Sequence, residues 1–173
     1  KEQKTLLNLL RKDSSIKLAE MDPVRYLMAE TVPWGIPRVQ AELLSDSAAG
    51  NKTVCIIDSG YEQSNPDLSG NNATGTNDSG TGNWYQAGGS HGTHVAGTIA
   101  AVGNNSMGII GVAPQAKIIP IKALNRNGSG YSKDLADAVI YAADLGAHVI
   151  NNSWGGSYRS NLYKDAIDYA HAS

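Results

Sequence analysis

Residues 53–58 read TVCIID, a short and almost continuously apolar run that ends in a carboxylate. A run this short, with β-branched side chains and no polar alternation, has the pattern of a strand buried on both faces, as in a parallel sheet covered by helices. Downstream the theme recurs. A small-residue helix is expected from about His91, AKIIPIKAL (116–124) is a second strand, and NRNGSG (125–130) is a turn. SKDLADAVIYAADLG (132–146) is a helix with Ser132 as its N-cap and Gly146 just past its end. AHVINNS (147–153) is a third strand, and NLYKDAIDYAHA (161–172) a final helix. Alternation of strand and helix predicts an α/β fold with a mostly parallel sheet and helices on its faces. Upstream, residues 38–44 form a short helix, and the Gly/Asn/Ser-rich stretch 69–90 is a long polar surface loop.

Composition narrows the function. The chain has 173 residues, a net charge of -2, 41% hydrophobic and 17% charged residues. That length suits one domain and part of a second, and the weak charge offers no field to draw nucleic acid or an anionic membrane. No apolar run approaches the roughly 18 residues of a membrane span. The first residues, KEQKTLLNLLRKD, lack the form of a secretory signal. Cys55 is the single cysteine, which excludes an internal disulfide, and its apolar neighbours make it a small buried hydrophobe. Nineteen glycines and no phenylalanine point to close backbone packing and many turns.

Ligands of parallel α/β sheets gather outside the carboxyl ends of the strands. Asp58 ends the first strand and is followed by Ser59 and Gly60, so its carboxylate emerges partly shielded at that end. His91 follows the glycine-rich AGGS, with Ser90 as N-cap. A helix N-terminus favours neutral imidazole, which suits a base, and a nearby carboxylate fixes the tautomer. Taken singly, Asp58 is more readily a turn or cap former and His91 more readily a structural histidine.

Together the stretches CIIDSGYEQSNPDL, HGTHVAGTIAA, NNSMGIIGVAPQAKIIPIKAL and HVINNSWGG resemble, in order, the motifs of the subtilisin-like serine proteases, the subtilase family. The resemblance covers essentially the whole chain. It implies a three-layer subtilisin-like fold and a serine endopeptidase with an Asp-His-Ser triad, in which Asp58 orients His91 and His91 acts as general base and then acid. It also implies an extracellular, secreted enzyme made as a zymogen. The Gly-Thr-Ser-Met-Ala motif that carries the family's nucleophile does not occur in these residues, nor does the segment with its oxyanion-hole asparagine. The 173 residues are therefore expected to be the first half of a catalytic domain, inactive on their own.

The same resemblance divides the chain. Residues 1–28 are similar to the C-terminal end of a subtilase propeptide, and 29–173 to the first portion of the catalytic domain, with processing between Met28 and Ala29. Gly128, Ser129 and Gly130, with Ser153, Trp154 and Gly155, are the implied substrate walls, which pair with an extended protein or peptide substrate through backbone groups. The propeptide itself is a second implied partner. A structural calcium site is implied at Glu30, Asp67, Asn105 and the carbonyls of Val102, Met107 and Ile109, hard oxygen donors that suit calcium over zinc. The loop 102–109 is one residue longer than the family pattern, which leaves Val102 the least secure ligand.

Two rival classes remain. His91 and His94 form an HxxH pair on one helix, as a metallohydrolase would need, but the adjacent glutamate of HExxH is missing. His94 reads instead as a buried histidine bonded to backbone. A non-catalytic peptide-binding or inhibitory fragment is the other alternative.

Overall fold

The computed structural model describes Lys12, Ser15 and residues 30–173, apart from Asp46, Ala48, Ala49, Asn51 and Asn72. The propeptide-like segment and the Met28 to Ala29 junction lie outside the described residues. TVCIID forms strand β1, Thr53–Asp58, with every position but the first buried. It pairs in parallel on one side with β3 (Lys117–Lys122) and on the other with β4 (Val149–Asn151). A two-residue strand β2 (Thr76–Asn77) adds to the outer edge of β3, giving the order β2-β3-β1-β4, all parallel. β2 lies inside the polar stretch 69–90 and has no apolar pattern. Its place is set by backbone pairing to the end of β3, which leaves no signature in side chains.

The helices are α1 (Gly35–Arg38), α2 (His91–Ala100), α3 (Ser132–Asp144) and α4 (Asn161–Ala172). The helix expected at 38–44 is instead the single turn α1 and a 3-10 turn at Ala41–Leu43. Between them Gln40 takes a left-handed φ of 58°, which stops the first turn before the second starts. Ser132 is the first residue of α3 and not its cap; the cap position is Tyr131, with no side-chain cap bond. At the other end of α3, Gly146 has a φ of 72° and donates to the carbonyl of Ala143, the left-handed exit expected there.

Strand periodicity assigns the two faces of the sheet. Cys55 and Ile57 turn toward a core built with Ile119, Ile121, Leu135, Val139, Ala142 and Ala166, so α3 and α4 cover that face. Val54, Ile56 and Ile118 turn the other way and meet Ala96 and Ala100 of α2. The result is the expected three-layer α/β arrangement. Burying a side chain such as Ile57 or Ile118, both 0% exposed, contributes about 1.5–3 kcal/mol each. On α2 the buried positions are Gly92, Ala96 and Ala100, four apart. With no side chain larger than a methyl on that stripe, the helix lies close against the sheet.

Candidate active site

Asp58 shares the parity of Val54 and Ile56, so the alternation that buries those two also turns its carboxylate toward α2. It is 2% exposed. His91 opens α2 above it. Nδ1 of His91 lies 2.9 Å from Oδ2 of Asp58 and 3.0 Å from Oδ1. The Oδ1 atom also accepts from the backbone N–H of Ser59 at 2.7 Å and from its hydroxyl at 3.1 Å. A carboxylate held by these donors stays in one orientation and fixes the proton on Nδ1, which leaves Nε2 as the free base. The His91 side chain is 58% exposed, open to a reacting group.

Two glycines permit this approach. A Cβ on Gly92 would sit 2.3 Å from the Gly60 carbonyl oxygen and 3.0 Å from Oδ1 of Asp58. Gly60 itself has a φ of 108° and turns the chain sharply out of β1. Ser90 occupies the cap position of α2 without a side-chain cap bond.

One residue of this neighbourhood escapes sequence reasoning. Lys122 pairs in register with Asp58 and is only 4% exposed. Its Nζ donates to the carbonyl of Gln86 at 2.8 Å and to that of Asn83 at 3.3 Å, and burial pushes its pKa down. Tyr61 N–H donates to the Trp84 carbonyl and Gly88 N–H to that of Ser59, both close by. These bonds tie the loop that delivers His91 to the strand end that carries Asp58. The only sequence signal was a lysine inside an apolar strand.

His94 is exposed and not buried, contrary to the sequence expectation. The helical period accounts for it: two residues from both Gly92 and Ala96, position 94 lies about 200° round the helix from the buried stripe. The HxxH pair gains no third partner, since among the described residues no group of three or more His, Cys, Asp or Glu side chains could hold a metal.

Of the residues expected in the substrate walls, Gly130, Trp154 and Gly155 line one cleft, Ser129 lines a neighbouring one beside Asn125 and Asp134, and Gly128 and Ser153 line neither. Ser129 and Gly128 belong to a turn in which Asn125 N–H donates to the Ser129 carbonyl and Gly128 N–H to that of Asn125. The Ser153 hydroxyl donates to Oδ1 of Asn151 at 2.7 Å. Trp154 is pinned through its indole N–H to the Ile57 carbonyl at 3.0 Å and packs on Tyr163 with ring centroids 4.9 Å apart.

The residues expected to hold calcium gather at the opposite end of α2. Oε2 of Glu30 accepts from Asn105 N–H at 3.1 Å. Oδ1 of Asp67 accepts from the Asn105 amide at 2.8 Å, and Oδ2 from Ile109 N–H at 2.9 Å. Met107 N–H donates to Oδ1 of Asn105, and Val102 N–H to the Asp67 backbone carbonyl. Asn104, Ser106 and Gly108 alternate through this loop with φ of 61°, 63° and 56°. Left-handed non-glycine residues are costly and cluster at ligand sites. The Asp67 carboxylate and the Asn105 amide oxygen are hard oxygen groups brought together at this loop beside Glu30, and each carboxylate oxygen keeps a second lone pair.

Comparison with known proteins identifies the family. The model of the subtilase family matches residues 50–173. Subtilisin E of Bacillus subtilis (strain 168) is 40% identical over 166 residues, covering 95% of this chain and 43% of that protein. Thermitase of Thermoactinomyces vulgaris is 39% identical over 138 residues, 79% of this chain and 50% of its own length. The crystal structure of the psychrophilic subtilisin-like protease Apa1, from the Antarctic psychrotroph Pseudoalteromonas sp. AS-11, superposes with a TM-score of 0.76 at 51% identity. It covers 83% of this chain and 34% of that one. The chain thus spans about half or less of these relatives. With the carboxylate and imidazole paired at the sheet's carboxyl end, and the likeness extending over nearly every residue, the chain belongs to the subtilase family.

Proposed function

We propose that the protein containing this chain is a serine endopeptidase, and that the chain supplies the aspartate and histidine of its triad. The contact of His91 Nδ1 with the buried Asp58 carboxylate, at 2.9 Å, carries this reading. The serine comes from the part of the relatives' length that this chain does not span. Its hydroxyl gives its proton to Nε2 of His91 as the oxygen attacks the carbonyl carbon of the peptide. Asp58, ionised and accepting from Nδ1, stabilises the imidazolium so formed. Nε2 of His91 then passes the proton to the amine nitrogen as the C–N bond breaks, leaving an ester on the serine. The same Nε2 next takes a proton from water as its oxygen attacks the ester carbonyl, and returns it to the serine oxygen as the acid is released. The walls at Gly128–Gly130 and Ser153–Gly155 hold the extended substrate by its backbone.

Three further parts follow from the family likeness. Residues 1–28 are the end of a propeptide released by cleavage between Met28 and Ala29, with the methionine in the primary specificity pocket. Glu30, Asp67, Asn105 and neighbouring carbonyls would hold calcium, which would supply no chemistry there but would clamp the loop after α2 to the N-terminal arm. The enzyme is secreted. Among the described residues no helix is long and apolar enough to cross a membrane.

The test uses the full-length protein and a chromogenic peptide. Hydrolysis blocked by a sulfonyl fluoride is expected, and Asp58→Asn is expected to lower kcat by about 10⁴-fold, a magnitude taken from other serine-protease triads. The 173 residues alone are expected to show no turnover. Hydrolysis indifferent to both the inhibitor and the Asp58 substitution, or lost on removing zinc, would overturn the reading.

A further inference from the structure

The cleft between the two substrate walls has an uneven charge. Its floor is apolar and aromatic, with Trp154 and Tyr163 in contact. Two cations, Arg159 and Lys164, stand on its lining, and no carboxylate does. Lys164 is neutralised by Asp168 one helical turn on. Arg159, exposed on the loop between β4 and α4, has no ion pair among the described residues. One uncompensated guanidinium therefore faces a cleft that carries no carboxylate to balance it. An apolar floor admits aliphatic or aromatic side chains, while the rim decides between charged ones. A carboxylate on a long stem can lay its methylenes on Trp154 and reach Arg159. An ammonium group entering the same cleft meets a like charge and no acceptor carboxylate.

We propose that Arg159 sets the charge preference of this cleft, which takes a glutamate or aspartate side chain of an extended peptide in preference to lysine or arginine. The inference rests on the peptidase reading above and adds a substrate class to it. An exposed ion pair is screened by water, so the effect is modest, a factor of about two to five for a single charge. Comparing a glutamate with a lysine substrate counts attraction and repulsion together, and about fivefold or more is expected.

The experiment measures kcat/KM of the full-length enzyme on quenched fluorescent peptides carrying Leu, Glu or Lys at each of the four residues before the scissile bond. At one position the Glu to Lys ratio should exceed one by about fivefold or more. It should fall toward one in Arg159→Gln, persist in Arg159→Lys and invert in Arg159→Glu. Raising the salt to about 1 M, where the screening length is roughly 3 Å, should shrink it. Position 159 is exposed, so these substitutions leave the fold intact. Cleavage of the leucine peptides with no glutamate preference at any position, or a ratio unchanged in Arg159→Gln, overturns this inference alone. Failure to cleave any peptide, leucine included, overturns the peptidase reading and this inference with it.

Discussion

Replacing Gly92 by alanine separates two accounts of the α2 N-terminus. Helix propensity alone makes alanine better than glycine by about 1 kcal/mol, so an unconstrained helix would be stabilised. The structure predicts the opposite. The new Cβ would stand 2.3 Å from the Gly60 carbonyl oxygen, where ordinary contact begins at 3.4 Å. The carbonyl is backbone, and Gly60 already holds a φ of 108° against the Gln86 carbonyl, so the helix has to withdraw by roughly 1 Å. The 2.9 Å bond from His91 to Asp58 then opens to nearly 4 Å, beyond hydrogen-bonding range. Overpacking costs about 1–3 kcal/mol, and a lost bond to a charged group about 1.5–3. Against the helical gain, Gly92→Ala should destabilise by roughly 1.5–5 kcal/mol. A misplacement near 1 Å should also reduce kcat by about 10²-fold. Denaturant unfolding and steady-state kinetics of the full-length enzyme test both. A variant as stable as its parent or more so, with undiminished kcat, would refute the argument that Gly92 exists to let Asp58 and His91 meet.

Other expectations follow from the same geometry. Burial pushes the Cys55 thiol up to about 11 from its ordinary 9.0. The unfolded chain ionises this thiol above pH 9 while the folded one keeps it neutral. Stability from this group is therefore full below pH 9 and declines between pH 9 and about 11, by up to roughly 3 kcal/mol. Cys55→Ala should lose less stability than its parent across that window in urea titrations; equal losses would count against burial as the cause. For calcium, the melting temperature of the full-length enzyme should drop on chelation, and Asp67→Asn should abolish the dependence; a midpoint indifferent to chelator removes the site. For processing, N-terminal sequencing of the mature enzyme should begin at Ala29, and a start elsewhere in the arm moves the junction.

Much of the layout is legible in the residues. TVCIID reads as a strand covered on both faces, because every residue between Thr53 and Asp58 is apolar and the run is short, and the helix stripes at Leu135, Val139 and Ala142 have the period that buries them. Asp58 and His91 were legible as candidates because their motifs are long. Other features left no local trace. β2 is placed by backbone pairing to β3, and nothing local to Lys122 signals that its Nζ reaches two loop carbonyls. His94 was assigned to the wrong side because a motif names residues without saying which face of the helix the sheet covers.

The sequence by itself therefore determined the order of elements and the parallel α/β class, which rest on periodicity and residue type along the chain, while the resemblance of its motifs to the subtilase family pointed to the acid and the base. Only the tertiary structure decided that the two meet. Their 33-residue separation is closed by strand parity, which aims Asp58 at α2, and by Gly92 and Gly60, which let backbone lie against backbone. Contacts of that kind belong to pairs of segments brought together by packing, and neither segment specifies them alone.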